Sequence, residues 1–161
     1  MRRKLEIAAN ISILVVSILI CLVIARRYLL PGPTYEQIHV GDHFQISGVD
    51  WSRSDRTLVL ALSTSCHACA ESGQFYRRLY ERTNGRANLR IVAVFPQAEE
   101  LGKKYVETLG FADIEVHQVQ LLAAKIIATP TLILVDRSGT VRKIWLGRLD
   151  STSEGDVMAS L

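Results

Sequence analysis

The chain has 161 residues, 48% of them apolar or aromatic, and a formal net charge of +3. Of its 19 basic and 16 acidic residues, Arg2, Arg3, Lys4, Arg26, Arg27 and Glu6 sit at the N-terminus, which leaves 14 basic against 15 acidic in 28–161. The body of the chain therefore lacks the clustered basic face that nucleic-acid binding needs, and its length leaves room for one core and no second lobe.

Ile7 to Ala25 carry no charge and only Asn10, Ser12 and Ser17 as polar interruptions. Nineteen residues at about 1.5 Å each span roughly 28 Å, close to the ~30 Å of a bilayer's hydrocarbon. Residues 1–27 read as a cytoplasmic tip and transmembrane anchor, with a cleaved signal peptide ending near Ala25 as the alternative. Three cations and the terminal amine precede the span and Arg26 and Arg27 follow it, a bias towards N-inside. That orientation puts 28–161 on the extracytoplasmic, periplasmic side, where a cysteine pair can be oxidised and stay so. Pro31, Gly32 and Pro33 make 28–34 a short stiff stalk, and a domain of 35–161 begins near Tyr35.

Within that domain the periodicities alternate. FQISGVDW (44–51) reads as either a strand or an irregular lead-in, and LVLALS (58–63) as a buried strand. ESGQFYRRLYERT (71–83) is a helix with Phe75, Leu79 and Tyr76 or Tyr80 on one side, and LRIVAVF (89–95) a second buried strand ended by Pro96. AEELGKKYVETLG (98–110) repeats its apolar residues at Leu101, Tyr105 and Leu109, and Gly110 closes it. A short strand is expected at 114–119 and a helix at 120–128. TLILV (131–135) and TVRKIWL (140–146) form a hairpin through Asp136-Arg137-Ser138-Gly139, and the tail forms a terminal helix. A β-α-β unit followed by helix and hairpin indicates an α/β domain, a central mixed sheet with helices on its faces.

Cys66 and Cys69 fall where the first strand turns into the first long helix, in STSCHACAES. A helix starting near Cys66 aims its unpaired N–H groups at that sulfur and stabilises a thiolate, the attacking form. Cys69, three residues on, shares the helix face and is close enough to resolve a mixed disulfide. A bridge closing so short a loop removes little chain entropy, which favours exchange over stapling. His67 offers a cation that would tune the thiolate, or is simply solvated in the first turn. Other readings stand beside exchange. His39 and His43 with the cysteine pair could form a zinc site, and a histidine such as His117 with the pair a copper site. Ser63, three residues before Cys66, sits where a peroxiredoxin has its hydroxyl, although Val59 replaces that pattern's proline. Cys21, inside the apolar span, reads as filler.

CHAC after a strand, with IIATPTLILVDRSGTVRKIWLG some sixty residues later, resembles the thioredoxin-like superfamily, and within it the membrane-anchored TlpA-like thiol-disulfide oxidoreductases. The resemblance runs from about Val40 to the C-terminus. It implies a thioredoxin-like three-layer fold, with Pro130 as the cis-proline packed against the cysteines and Thr129 as the residue whose backbone pairs with substrate. Residues 91–116 resemble the insertion that separates TlpA-like proteins from plain thioredoxins. Two departures stand out: Ser65 replaces the usual aromatic before the first cysteine, and Ser72 replaces a glutamate, with Glu71 one place earlier as the possible acid/base. The resemblance implies no cofactor. It implies a reductase of extracytoplasmic protein disulfides rather than an oxidase, supplied by a membrane electron donor such as a DsbD/CcdA-like carrier.

Overall fold

The computed structural model describes residues 2–29, 35–111 and 113–161. They form two compact units that divide at Thr34/Tyr35. The first holds one helix, α1 (Arg2–Leu29), in which Asn10–Tyr28 have a mean hydropathy of 2.2 and no buried residue, long and apolar enough to cross a membrane. Pro31, Gly32 and Pro33 of the expected stalk lie outside the described residues.

The second unit is built on five strands: β1 (Arg56–Ala61), β2 (Leu89–Phe95), β3 (Glu115–Gln118), β4 (Thr131–Asp136) and β5 (Val141–Leu146). Their order is β3-β2-β1-β4-β5, parallel from β3 to β1 and antiparallel from β1 through β4 to β5. β1, β2 and β4 lie inside the sheet, and their side chains divide by the two-residue period between two cores. Leu58, Leu60, Ile91, Ala93, Phe95, Leu132 and Leu134 face one; Val59, Ala61, Val92, Val94, Ile133 and Val135 face the other. That double burial is why these strands read as continuous apolar runs.

The first core is covered by α3 (Gly73–Thr83), α4 (Glu99–Thr108) and α5 (Ser151–Ser160), through Phe75, Tyr76, Leu79, Val106 and Val157. The second is covered by a lead-in segment carrying Ile38, Phe44, Ile46 and Trp51, together with Ile126. The lead-in is irregular. It makes one isolated bridge, His43 to Thr140, and ends in a short 3-10 turn over Trp51–Arg53.

The helix expected at 120–128 is corrected to a single turn. Ala124 N–H reaches the Gln120 carbonyl and Ile126 N–H the Leu121 carbonyl, and Lys125 takes φ +59°. That left-handed residue ends the winding, and its carbonyl accepts the Ile38 N–H at 3.0 Å, tying the lead-in down. Gly110, at φ +90°, closes α4 as its position suggested.

Candidate active site: the Cys66–Cys69 turn

β1 delivers the chain to the C-terminal edge of the sheet, where Ser63 to Cys66 form a turn closed by Cys66 N–H on the Ser63 carbonyl at 3.1 Å. Helix α2 (His67–Glu71) starts immediately, with Cys66 as its N-cap in extended backbone. The Cys66 sulfur accepts the Cys69 backbone N–H at 3.1 Å, the work an aspartate or serine oxygen does at an ordinary cap. α2 passes into α3 through Ser72, whose hydroxyl bonds back to the Ala68 carbonyl at 2.8 Å, a contact that bends helices. The i−4 ladder runs on across the junction, from Ala70 to Cys66, Ser72 to Ala68 and Tyr76 to Ser72.

The two sulfurs are unequal. Cys66 is partly exposed, Cys69 is fully buried, and both are free thiols. Partial burial pushes the Cys66 thiol up, but hydrogen bonds from Cys69, from the Thr129 side chain and from the Cys69 and Ala68 N–H groups outweigh it, leaving Cys66 below the usual thiol range. Burial pushes Cys69 the other way, well above that range, and the neighbouring Cys66 adds to it. One thiol is thus set to ionise first, and its neighbour to hold its proton.

From the far side, the loop before β4 reaches the pair. The Cys66 thiol donates to the Thr129 carbonyl at 3.3 Å. The Thr129–Pro130 peptide is cis, Pro130 is buried, and its carbonyl accepts the Gly147 N–H at 2.7 Å. Thr129 and Pro130 therefore stand against the cysteine turn.

His67 and Glu71 face outward instead. The His67 side chain is 87% exposed, its Nε2 lies 3.3 Å from Glu71 Oε1, and Glu71 Oε2 accepts from Arg148 at 2.9 Å. The hydrogen bonds that lower Cys66 come from Cys69, Thr129 and Ala68, while His67 is engaged with Glu71. Gln97, which the sequence did not single out, pins the cysteine turn: its amide donates to Ser63 Oγ at 2.9 Å and its carbonyl oxygen accepts the Thr64 N–H at 3.4 Å. A lone glutamine after a proline carries no sequence signal for this role.

The histidines are occupied elsewhere. His39 lies beside Asp42, His43 sits in the bridge to Thr140, and His117 Nε2 is 2.7 Å from Glu115 Oε1. Among the described residues no group of three or more His, Cys, Asp or Glu side chains converges as a metal site would require, so neither the zinc nor the copper arrangement is assembled.

No protein-family model and no curated relative matches the chain. Solved structures do. A thiol-disulfide isomerase from Corynebacterium glutamicum aligns at 18% identity and TM-score 0.55, over 81% of this chain and 95% of that one. The thioredoxin domain of a thiol-disulfide oxidoreductase from Bacteroides vulgatus aligns at 18% and 0.59, over 77% and 98%. The chain has a thioredoxin-like fold. A thioredoxin-family thiol:disulfide interchange protein from Chlorobium tepidum is similar to it over 77% of this chain and 97% of its own, at 18% identity and TM-score 0.56. Within this thioredoxin-like frame the cysteine turn occupies the junction of β1 and α2, and the cis-proline loop faces it.

Proposed function

We propose that the chain is an enzyme, a thiol-disulfide oxidoreductase acting on protein disulfides, with Cys66 as nucleophile and Cys69 as resolving thiol. The observation that carries this reading is the Cys66 sulfur capping α2 and accepting the Cys69 N–H at 3.1 Å, with the Cys69 thiol buried behind it. The Cys66 thiolate attacks one sulfur of a substrate disulfide, and the other substrate sulfur leaves as a thiolate. Cys69 then loses its proton and attacks Cys66, releasing the second substrate thiolate. Two electrons pass from the cysteine pair to the substrate, and solvent returns protons to the products. Thr129 and Pro130 are the substrate-binding edge, where an extended substrate segment would pair with backbone.

We assign 1–27 as an anchor, 28–34 as a stalk and 35–161 as the catalytic domain, held on the extracytoplasmic side. The 19-residue span and the cation bias support this. The reductase direction, with electrons from a DsbD/CcdA-like membrane carrier, is supported by the resemblance. The lowered Cys66 thiol stabilises the reduced pair and pulls the other way, towards an oxidant. Equilibration of the full chain, in detergent, with glutathione tests the direction. A potential near thioredoxin's, about −270 mV, supports a reductase, and one near −120 mV overturns it. Reduction of insulin disulfides by the wild type, lost in Cys66→Ser, tests the activity itself.

A further inference from the structure

The step that makes turnover possible is also the one the site opposes. Cys69 must become a thiolate to resolve the mixed disulfide, yet it is fully enclosed in an apolar cluster. The carboxylate nearest in sequence is no help: Glu71 is held on the outer surface by His67 and Arg148. Ser72, next along, donates its hydrogen to the Ala68 carbonyl.

Two phenols lie in the same enclosure. Tyr76 follows Cys69 by seven residues, two turns along the ladder that crosses Ser72, and so falls on the same face. A long helical side chain leans towards the N-terminus, which carries the phenol back towards Cys69. Tyr105 comes from α4, its ring edge-on to Phe95 with centroids 5.8 Å apart, half-buried and packed against the cluster that holds Cys69 and Tyr76. Both hydroxyls are sealed from solvent; neither makes a well-formed hydrogen bond among the described residues, although Ser72 lies close enough to the Tyr76 phenol to offset part of its upward shift. Orphan buried hydroxyls are costly, and a well-packed core would use phenylalanine.

We propose that Tyr76 and Tyr105 are the hydrogen-bond donors that receive the Cys69 thiolate during resolution, in place of a buried carboxylate; this rests on the oxidoreductase reading. Electrostatics agree. Burial first, and then the cysteine charges, raise both phenols above their ordinary range, so they stay protonated and act as donors throughout. In the step itself the Cys69 S–H bond breaks and its proton passes to solvent, and the substrate sulfur later leaves as a thiolate that solvent protonates. The Cys69 thiolate, held by the two O–H groups, forms a bond to the Cys66 sulfur as the bond between Cys66 and substrate breaks. The phenols keep their own protons and change no oxidation state.

The test uses the full chain in detergent in a Cys21→Ala background, reduced and mixed with dithiobis-nitrobenzoate. That reagent releases one coloured thiolate when Cys66 attacks and a second when Cys69 resolves. Tyr76→Phe and Tyr105→Phe keep the rings. With a lost hydrogen bond to a charged group worth about a tenfold factor or more, each variant is expected to slow the second phase roughly tenfold and move its pH profile upward. The first phase stays within twofold, and stability in urea is unchanged or raised. A second phase as fast in the double variant as in the parent overturns the inference while leaving the parent reading intact. A first phase in the parent no faster than with free cysteine overturns the oxidoreductase reading itself. As an independent readout, the 13Cβ titration of Cys69 in Cys66→Ala moves upward in both phenylalanine variants if the phenols act on the sulfur, and an unmoved titration counts against them.

Discussion

Two glycines, each inside a helix, should respond in opposite directions to the same substitution. Alanine in a helix interior gains about 0.5–1 kcal/mol over glycine because the unfolded chain has less freedom to lose. At Gly102, in α4, the new methyl carbon would stand 2.8 Å from a Phe95 ring carbon and 2.9 Å from a Val116 methyl. Both neighbours sit in the filled core, and Phe95 carries the Tyr105 ring, so neither yields freely. Overpacking of this kind costs about 1–3 kcal/mol, and Gly102→Ala is expected to lose about 1–2 kcal/mol net. Gly155, in α5, has nothing within 4 Å of the added carbon, so Gly155→Ala should gain the full helix increment, about 0.5–1 kcal/mol. Urea unfolding of the reduced chain reports both, followed by the fluorescence of Trp51 and Trp145, each buried. Shifts of the same sign in the two variants, or a Gly102→Ala midpoint at or above wild type, would refute the packing argument.

Further outcomes follow from the site. Cys69→Ala should accumulate a Cys66 mixed disulfide with protein substrates, visible as a slower-migrating band on non-reducing gels and absent in Cys66→Ser. The stability of the reduced protein should pass through a maximum near the free-thiol value of about 8.5. Below it, the depressed Cys66 thiol adds stability as pH rises through its folded pKa. Above it, the raised Cys69 thiol, and then Tyr76 and Tyr105, remove stability because the folded chain holds protons the unfolded chain has released. Urea titrations across pH 7 to 10 should show a shallower alkaline fall in Cys69→Ala, by up to about 1.4 kcal/mol per pH unit; equal slopes would contradict the assignment. Gly139→Ala, at φ +82° with His43 and Trp51 carbons under 3.0 Å from the added methyl, should cost about 1–3 kcal/mol in the same assay.

What the sequence conveyed depended on whether the deciding interaction was local. β1, β2 and β4 were legible because strands buried on both faces must be apolar throughout, and Cys66 as helix start followed from its place after a strand. The 120–128 segment was not legible. QLLAAKIIA has helix-forming composition, and only the left-handed turn at Lys125, tied to Ile38 and by its ammonium to Glu36 at 2.7 Å, stops the winding. Those partners lie nearly ninety residues away. His67 follows Cys66 directly, but one helical step turns a side chain by about 100°, and Glu71 is claimed by Arg148, 77 residues on. Tyr76 read as part of an apolar stripe. Burial of its hydroxyl is a property of the folded cluster, which no local pattern records.

The unequal acidity of the two thiols carries the account, and alkylation kinetics measure it directly. Iodoacetamide should modify Cys66 of the reduced Cys21→Ala chain along a pH curve whose midpoint lies below the ~8.5 of free cysteine, while Cys69 stays protected until the chain unfolds. A Cys66 midpoint at or above the free-cysteine value, or Cys69 reacting first, would contradict it.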